Sequence, residues 1–295
     1  MTDFHGETTR VLENEFVTLE YLASAARIVR LAPKGKPNLF ADLGLDALHT
    51  PYGEFLLRGG HRLWHAPEAM PRTYIPDNQG AAVSEVLGGV RIEMPAEPWT
   101  GIVKSMEIEV SADRPQIAIR HQLRNEGAWA VELSPWAITM LRLGGVGIFP
   151  QPAASAGPAG LLPNRHLSLW PYALADDPRL TLRDDFILIN AIPRLPPLKF
   201  GYLNPVGWMG YWVDGVFFVK QFEVPVGSRF PDGGCNAECY CNDRFIELES
   251  LGSIRQIGPG DTVEHKEVWE VYDNLGPSFT TSEVRTLIDG LLRAR

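Results

Sequence analysis

Cysteine, positive charge and helix signals are all scarce in this chain, and each shortage removes a class of protein. The three cysteines, Cys235, Cys239 and Cys241, fall in one short segment, and an odd, local set gives no disulfide framework. Lys and Arg number 27 against 36 Asp and Glu, a formal charge of -9. A nucleic-acid backbone or an anionic membrane demands a basic patch. No window is rich enough in Lys and Arg to make one, so a neutral, polar small molecule is the better partner. No segment holds the uninterrupted apolar run of a membrane span. The opening MTDFHGETTR is polar and lacks the apolar core of a secretory signal, which makes a cytoplasmic protein the default expectation. Standard catalytic signatures are missing as well: there is no G-x-S-x-G elbow, no P-loop, no G-x-G-x-x-G after a strand and no H-E-x-x-H.

What remains is strand. Across 295 residues, 45% hydrophobic and 21% charged, the composition is that of an ordinary globular protein with room for a large core. Alternation puts Val17, Leu19 and Tyr21 on one face, and a second run follows at 26–32. Residues 104–110 and 116–123 alternate on either side of the turn tetrad Ala112-Asp113-Arg114-Pro115, which reads as a hairpin. Further strands are expected at 131–141, 186–192, 211–213 and 216–222, the last two joined by Asp214-Gly215, a strong hairpin signal. A helix is expected only at about 280–294, where Thr280 and Glu283 have capping-box spacing and Val284, Leu287, Ile288, Leu291 and Leu292 follow at helical intervals. The Ala, Pro and Gly-rich stretch 149–163 and the prolines of 193–197 read as long loops, not domain linkers, and no fixed-period repeat appears. Many strands with almost no helix between them predict an all-β fold: a large antiparallel sandwich of two sheets in one domain, 1–295, with its core at 12–272.

Three segments carry candidate chemistry. In FIELES, Glu247 and Glu249 share one face of a strand, either a solvated surface or the floor of a polar groove. The Gly258-Pro259-Gly260-Asp261 turn and the alternating run 262–272 then suggest that these two strands are antiparallel neighbours. The segment GGHRLWHAPE crowds His61, Arg62, Trp64, His65 and Glu68 together. Trp suits stacking on a sugar ring while Arg and His hydrogen-bond hydroxyls, and the plain alternative is a loop with a buried Trp anchor. In PDGGCNAECYCN, Asp232 precedes a strand on which Asn236, Glu238, Tyr240 and Asn242 share a face, opposite the cysteines. The cysteine spacing is not a zinc pattern, and small core fillers are the better reading. Lys220 and Lys199 each sit among apolar residues, placed either to snorkel from a sheet edge or to line a groove. His121 shares an apolar face with Ile117 and Ile119, which suits a satisfied core histidine.

Several pieces, taken in order, resemble the galactose mutarotase-like superfamily, which includes the aldose 1-epimerases. They are VLENEFVTLEYLASAARIVRLAPKGKPNLF with Asn38-Leu39, IRHQLRNEGAWAVELSPWAIT with Asn125 and Pro135-Trp136, and the late acid-bearing strand before a Pro-Gly turn. GGHRLWHAPE, VKQF, FPDGGCNAE and LESLG are similar to an uncharacterised DUF4380-type branch of it. The resemblance implies a β-supersandwich with a saddle-shaped face for a carbohydrate, and a cofactor-free, metal-free mutarotase or epimerase that opens the sugar ring by acid and base catalysis. The alternative is a carbohydrate-binding protein of the same fold without catalysis. On the family pattern the base is Glu249 or Glu247; Glu249 is preferred because it leads directly into Ser250-Leu251-Gly252, with Glu247 then a hydroxyl ligand. His61 or His65 is the candidate acid, and Arg62, Trp64, Glu68, Lys220, Asp232 and Glu238 are candidate substrate ligands.

Overall fold

The computed structural model describes residues 2–152, 160–276 and 279–293. Residues 153–159 of the expected 149–163 loop lie outside these, as do position 294 and the side chains of Leu291 and Leu292 in the expected helix stripe. Among the described residues, twelve strands form one sheet and ten form a second. The larger sheet runs, in order of pairing, through Thr2–Phe4, Glu7–Glu13, Val17–Leu22, Arg27–Pro33, Gly53–Ala66, Val131–Arg142, Phe245–Leu251, Ala237–Cys241, Leu198–Tyr202 and Ser168–Leu169, with Asp42–Thr50 and Arg255–Ile257 attached at its flanks. The smaller runs through Leu180–Leu182, Phe186–Asn190, Val146–Pro150, Trp208–Val213, Val216–Phe222, Thr262–Tyr272, Gln116–Asn125, Ile102–Val110, Gly89–Glu93 and Ala82–Val86.

All pairings are antiparallel, and the period-2 alternation shows why the sheets stack. Leu63, Leu141, Phe200 and Leu248 of the larger sheet are buried against Ile108, Ile117, Phe218 and Trp269 of the smaller. Each such side chain contributes about 1.5–3 kcal/mol when fully buried. Asp214 and Gly215 both have positive φ, 50° and 71°, as a two-residue type I′ hairpin requires. Helix Thr281–Arg293 starts where the Glu283 N–H donates to Thr280 Oγ1 at 3.2 Å. It lays Val284 and Ile288 on Trp208, Trp212 and Phe217, on the outer face of the smaller sheet.

Two expectations are corrected. Phe245–Leu251 and Thr262–Tyr272 are not neighbours: the first pairs with Val131–Arg142 and Ala237–Cys241, the second with Gln116–Asn125 and Val216–Phe222. Between them Arg255–Ile257 pairs with residues 131–133, and this detour carries the chain across to the other sheet. The second correction concerns GGHRLWHAPE, which up to Ala66 is the end of a 14-residue central strand and not a loop. Its glycines are there for clearance. A Cβ on Gly60, at φ 67°, would stand 2.0 Å from the Ile28 carbonyl oxygen, and one on Gly59, at φ 84°, the same distance from that of Ala41.

Candidate functional site

Cross-strand partners point to the same side of a sheet, so the pairing of the larger sheet lays out its outer face as two rows. One row reads Arg62, Ile138, Glu249, Glu238 across four strands. The next reads Met140, Glu247, Tyr240, Lys199. Trp64 stands beside Trp136 at one end, with ring centroids 5.4 Å apart. Over this face lies a cavity of about 580 Å³ whose walls include Arg62, Trp64, Glu68, Tyr74, Trp136, Trp170, Tyr172, Lys199, Tyr240, Arg244 and Glu247. That volume is within the usual range for a small-molecule site.

The two carboxylates of FIELES have different surroundings. Glu247 lines the cavity and accepts a hydrogen bond from Arg62 Nη2 at 3.0 Å, while the Arg62 guanidinium stacks on Trp64 at 4.3 Å. Burial pushes the Glu247 carboxyl up to about 7, with Arg62 opposing the rise and Glu249 adding to it. Glu249 is 0% exposed and is not among the cavity walls. It accepts hydrogen bonds from Trp136 Nε1 at 2.8 Å and from Lys199 Nζ at 3.0 Å.

Lys199 also lies 3.1 Å from Glu238, and its ammonium sits 4.8 Å from the rings of both Trp136 and Trp170. Burial works against its charge, yet Glu249, Glu238 and Glu247 hold it well above the ordinary lysine range. Burial drives Glu238 well above the usual carboxylate range, against the pull of Lys199, and neither of its oxygens accepts a well-formed hydrogen bond. One ammonium among three acids therefore remains charged while two of the acids are pushed toward their neutral form.

The remaining expected residues divide. Arg62, Trp64 and Glu68 line the cavity, and Glu68 accepts a hydrogen bond from the Tyr74 hydroxyl. Asp232 is not among the cavity walls; it lies near Glu238, its carboxyl raised by burial. His61, His65 and Lys220 are not on this face. In Gly53–Ala66 the histidines alternate with Arg62 and Trp64 and so point between the sheets, 0% and 2% exposed. His65 Nε2 meets Glu97 at 3.1 Å, and Lys104 lies on the same carboxylate, also at 3.1 Å. Lys220 is neither at a sheet edge nor in a groove: fully buried, it pairs with Glu267 at 2.8 Å. The expected acid and the expected base thus lie on opposite faces of one sheet.

Trp136, Trp170, Tyr172, Tyr74 and Arg244 join the site without having stood out as candidates. Lys199 was ambiguous from its sequence, and Tyr240 was visible only as part of a polar strand face. The cysteines are buried and free, and burial pushes the Cys235 thiol up to about 12 and Cys241 up to about 11. Among the described residues, one set of possible metal ligands, His61, His121 and Glu267, brings its atoms within 4.8 Å of one another. A cation there would displace the proton shared by His61 Nε2 and His121 Nε2 at 2.8 Å, and would meet the Lys220 ammonium already on Glu267.

No family model matches the chain, and no curated protein does. Solved structures do. A galactose mutarotase-like protein from Lactobacillus casei ATCC 334 shares 8% identity, with 90% of this chain and 100% of that one covered at a TM-score of 0.58. A galactose mutarotase related enzyme from Lactobacillus acidophilus shares 7%, covering 92% and 100% at a TM-score of 0.56. A TPR-domain containing protein from Parabacteroides distasonis ATCC 8503 shares 14% at a TM-score of 0.63, and the chain spans only 49% of its length. At such identities the likeness shows the fold, and the fold is the galactose mutarotase-like all-β sandwich.

Proposed function

We propose that the chain, as one domain acting in the cytoplasm, binds a carbohydrate in this cavity and opens its ring with Glu247 as the base, in the manner of a cofactor-free mutarotase or epimerase. The observation that carries the reading is a cavity-lining carboxyl held near 7 among aromatic walls. A base is most effective when its pKa lies near the working pH. Glu247 and Lys199 flank Tyr240 in one row, so their backbones stand two strand spacings apart, about 10 Å. With Tyr240 between them on the same face, a pyranose ring would lie over this row and not within it.

In this scheme ionised Glu247 takes the proton of the anomeric hydroxyl, those O–H electrons become the carbonyl, and the bond from the anomeric carbon to the ring oxygen breaks. Lys199, kept charged by Glu249, offsets the charge developing on the ring oxygen. Reclosure on the other carbonyl face, with the proton returned from Glu247, gives the second anomer. The base is therefore Glu247 and not Glu249, whose part is to hold Lys199, and neither histidine takes a role. Arg62 orients Glu247, and Trp64 and Glu68 face the sugar.

A second reading, a carbohydrate-binding protein without catalysis, is favoured by the absence of any imidazole from the cavity walls among the described residues. Exchange spectroscopy on freshly dissolved aldoses, run beside calorimetry, separates the two. Faster anomer exchange that Glu247→Gln abolishes supports the enzyme. Binding without exchange supports the second reading, and neither binding nor exchange with any aldose rejects both.

A further inference from the structure

Between the larger sheet and the smaller one lies a buried polar ring that the proposed chemistry leaves unused. Its hydrogen-bond directions follow from groups that act in one way only. The His265 carbonyl oxygen accepts, so His121 Nδ1 is the donor at 3.1 Å and His121 Nε2 is left as an acceptor. His61 Nε2–H must then donate to it at 2.8 Å, which leaves His61 Nδ1 to accept from the Thr139 hydroxyl at 2.9 Å. Thr139 Oγ1 in turn accepts from Lys220 Nζ at 3.1 Å. From the other side the Ser250 hydroxyl donates to Glu267, so His265 Nε2–H donates to Ser250 Oγ at 2.7 Å. Glu267 also accepts from Trp269 Nε1 at 2.8 Å and pairs with Lys220 at 2.8 Å. The ring closes with three neutral histidines and one ion pair. Burial holds the histidines neutral, bringing His121 and His265 down to about 3.

The ion pair is rooted in the smaller sheet, and the one ammonium proton not given to Glu267 or Thr139 is shared by two carbonyls of the larger one. Lys220 Nζ donates to the backbone carbonyls of Ala137 at 2.8 Å and Leu248 at 3.2 Å. Ala137 lies between Trp136 and Ile138, and Leu248 lies between Glu247 and Glu249. One ammonium therefore ties together, from beneath, the two strands whose upper faces carry the Trp136–Glu249 hydrogen bond and the Glu247 carboxyl.

We propose that Lys220 and Glu267 are positioning residues for the cavity: the ammonium, oriented by Glu267, sets the spacing of strands Val131–Arg142 and Phe245–Leu251 and so the placement of Trp136, Glu249 and Glu247 above them. The proposal does not depend on which sugar binds, or on whether any does, and its test uses no ligand. Indole N–H signals of the full chain are recorded by two-dimensional NMR, with Trp136→Phe identifying the Trp136 signal and the indole of Trp212, packed under the C-terminal helix, reporting that the fold persists.

In Lys220→Met protein that retains the Trp212 signal, the Trp136 signal moves and its hydrogen exchange accelerates at least tenfold, and Lys220→Arg restores part of the protection. A Trp136 signal and exchange rate unchanged in folded Lys220→Met overturn the proposal, because a residue that served stability alone would lower the unfolding midpoint and leave this signal in place. Should Lys220→Met not fold, Glu267→Gln, which removes the charge that orients the ammonium and keeps the size of the side chain, is read by the same criterion: a shifted, faster-exchanging Trp136 supports the proposal and an unchanged one overturns it.

Discussion

Acid should loosen this protein through the histidines between its sheets, and the size of the effect can be worked out for His121. Its imidazole is fully buried, and burial together with the Lys220 charge depresses its pKa to about 3. In the unfolded chain the same group titrates near ~6.5. Below that value the unfolded state binds a proton that the folded state refuses, so stability falls with falling pH from ~6.5 down to about 3 and is insensitive to this group outside that window. The slope is about 1.4 kcal/mol per pH unit, which makes the loss between pH 7.5 and pH 5 roughly 2 kcal/mol for His121. His265, also buried and brought down to about 3, contributes a similar amount.

Other groups titrate in the same range, so the measurement is a difference of differences. Urea unfolding followed by tryptophan fluorescence at both pH values gives the pH sensitivity of the parent and of His121→Gln. The substitution lowers stability at pH 7.5, since it breaks the hydrogen bond from His61. It also removes roughly 2 kcal/mol of the drop between the two pH values. Equal pH sensitivity in parent and variant refutes the reasoning, because it means that His121 already titrates normally in the folded chain.

Three further outcomes are expected. Glu247, with a folded pKa of about 7, binds a proton that the unfolded chain has lost above ~4.3, so its own contribution to stability falls by on the order of 3 kcal/mol as pH rises from ~4.3 to ~7, opposite in sign to the histidines; Glu247→Gln removes that contribution, so its urea midpoints rise more steeply with pH over this range than those of the parent. Gly60→Ala forces a Cβ to 2.0 Å from a carbonyl oxygen at positive φ, with an expected loss of about 3 kcal/mol or more, whereas Gly88→Ala, with open space around it, costs about 1 kcal/mol; thermal unfolding of the pair checks the contrast. Tyr172 lines the cavity and is 44% exposed, so Tyr172→Ala weakens saccharide binding about tenfold in calorimetry, a loss of ~1.4 kcal/mol, with little change in the unfolding midpoint.

Much of the fold is legible in the sequence because strand alternation is a local signal. The 104–123 hairpin, the Asp214-Gly215 turn and the capped C-terminal helix all appear where their residues predict them. Sheet membership is another matter. Residues 245–251 and 262–272 alternate well and are separated by a turn tetrad, yet the short strand at 255–257 parts them, and nothing in its composition announces that.

Faces are harder still. Alternation in HRLWH separates His61 and His65 from Arg62 and Trp64, but both sides of this central strand are buried, so hydrophobicity does not say which side opens to a ligand. Lys199 and Lys220 look alike in sequence, each set among apolar residues. One lines the cavity and the other is sealed between the sheets, a distinction created by strand pairing over long separations. Trp170 and Tyr172 come from a loop and a turn and Tyr74 from a single 3-10 turn of helix, Arg72–Tyr74, none with a motif, and only the folded chain collects them.

The proposed function rests on Glu247 as a carboxyl poised near neutrality and in reach of a sugar. Carbon-13 NMR of its side-chain carboxyl, assigned through Glu247→Gln and followed through a pH titration with and without D-glucose or D-galactose, tests it most directly. The expected midpoint is near 7 and shifts when at least one of the sugars is present. A midpoint close to ~4.3, the value of an unperturbed glutamate, and the same with either sugar, would contradict it.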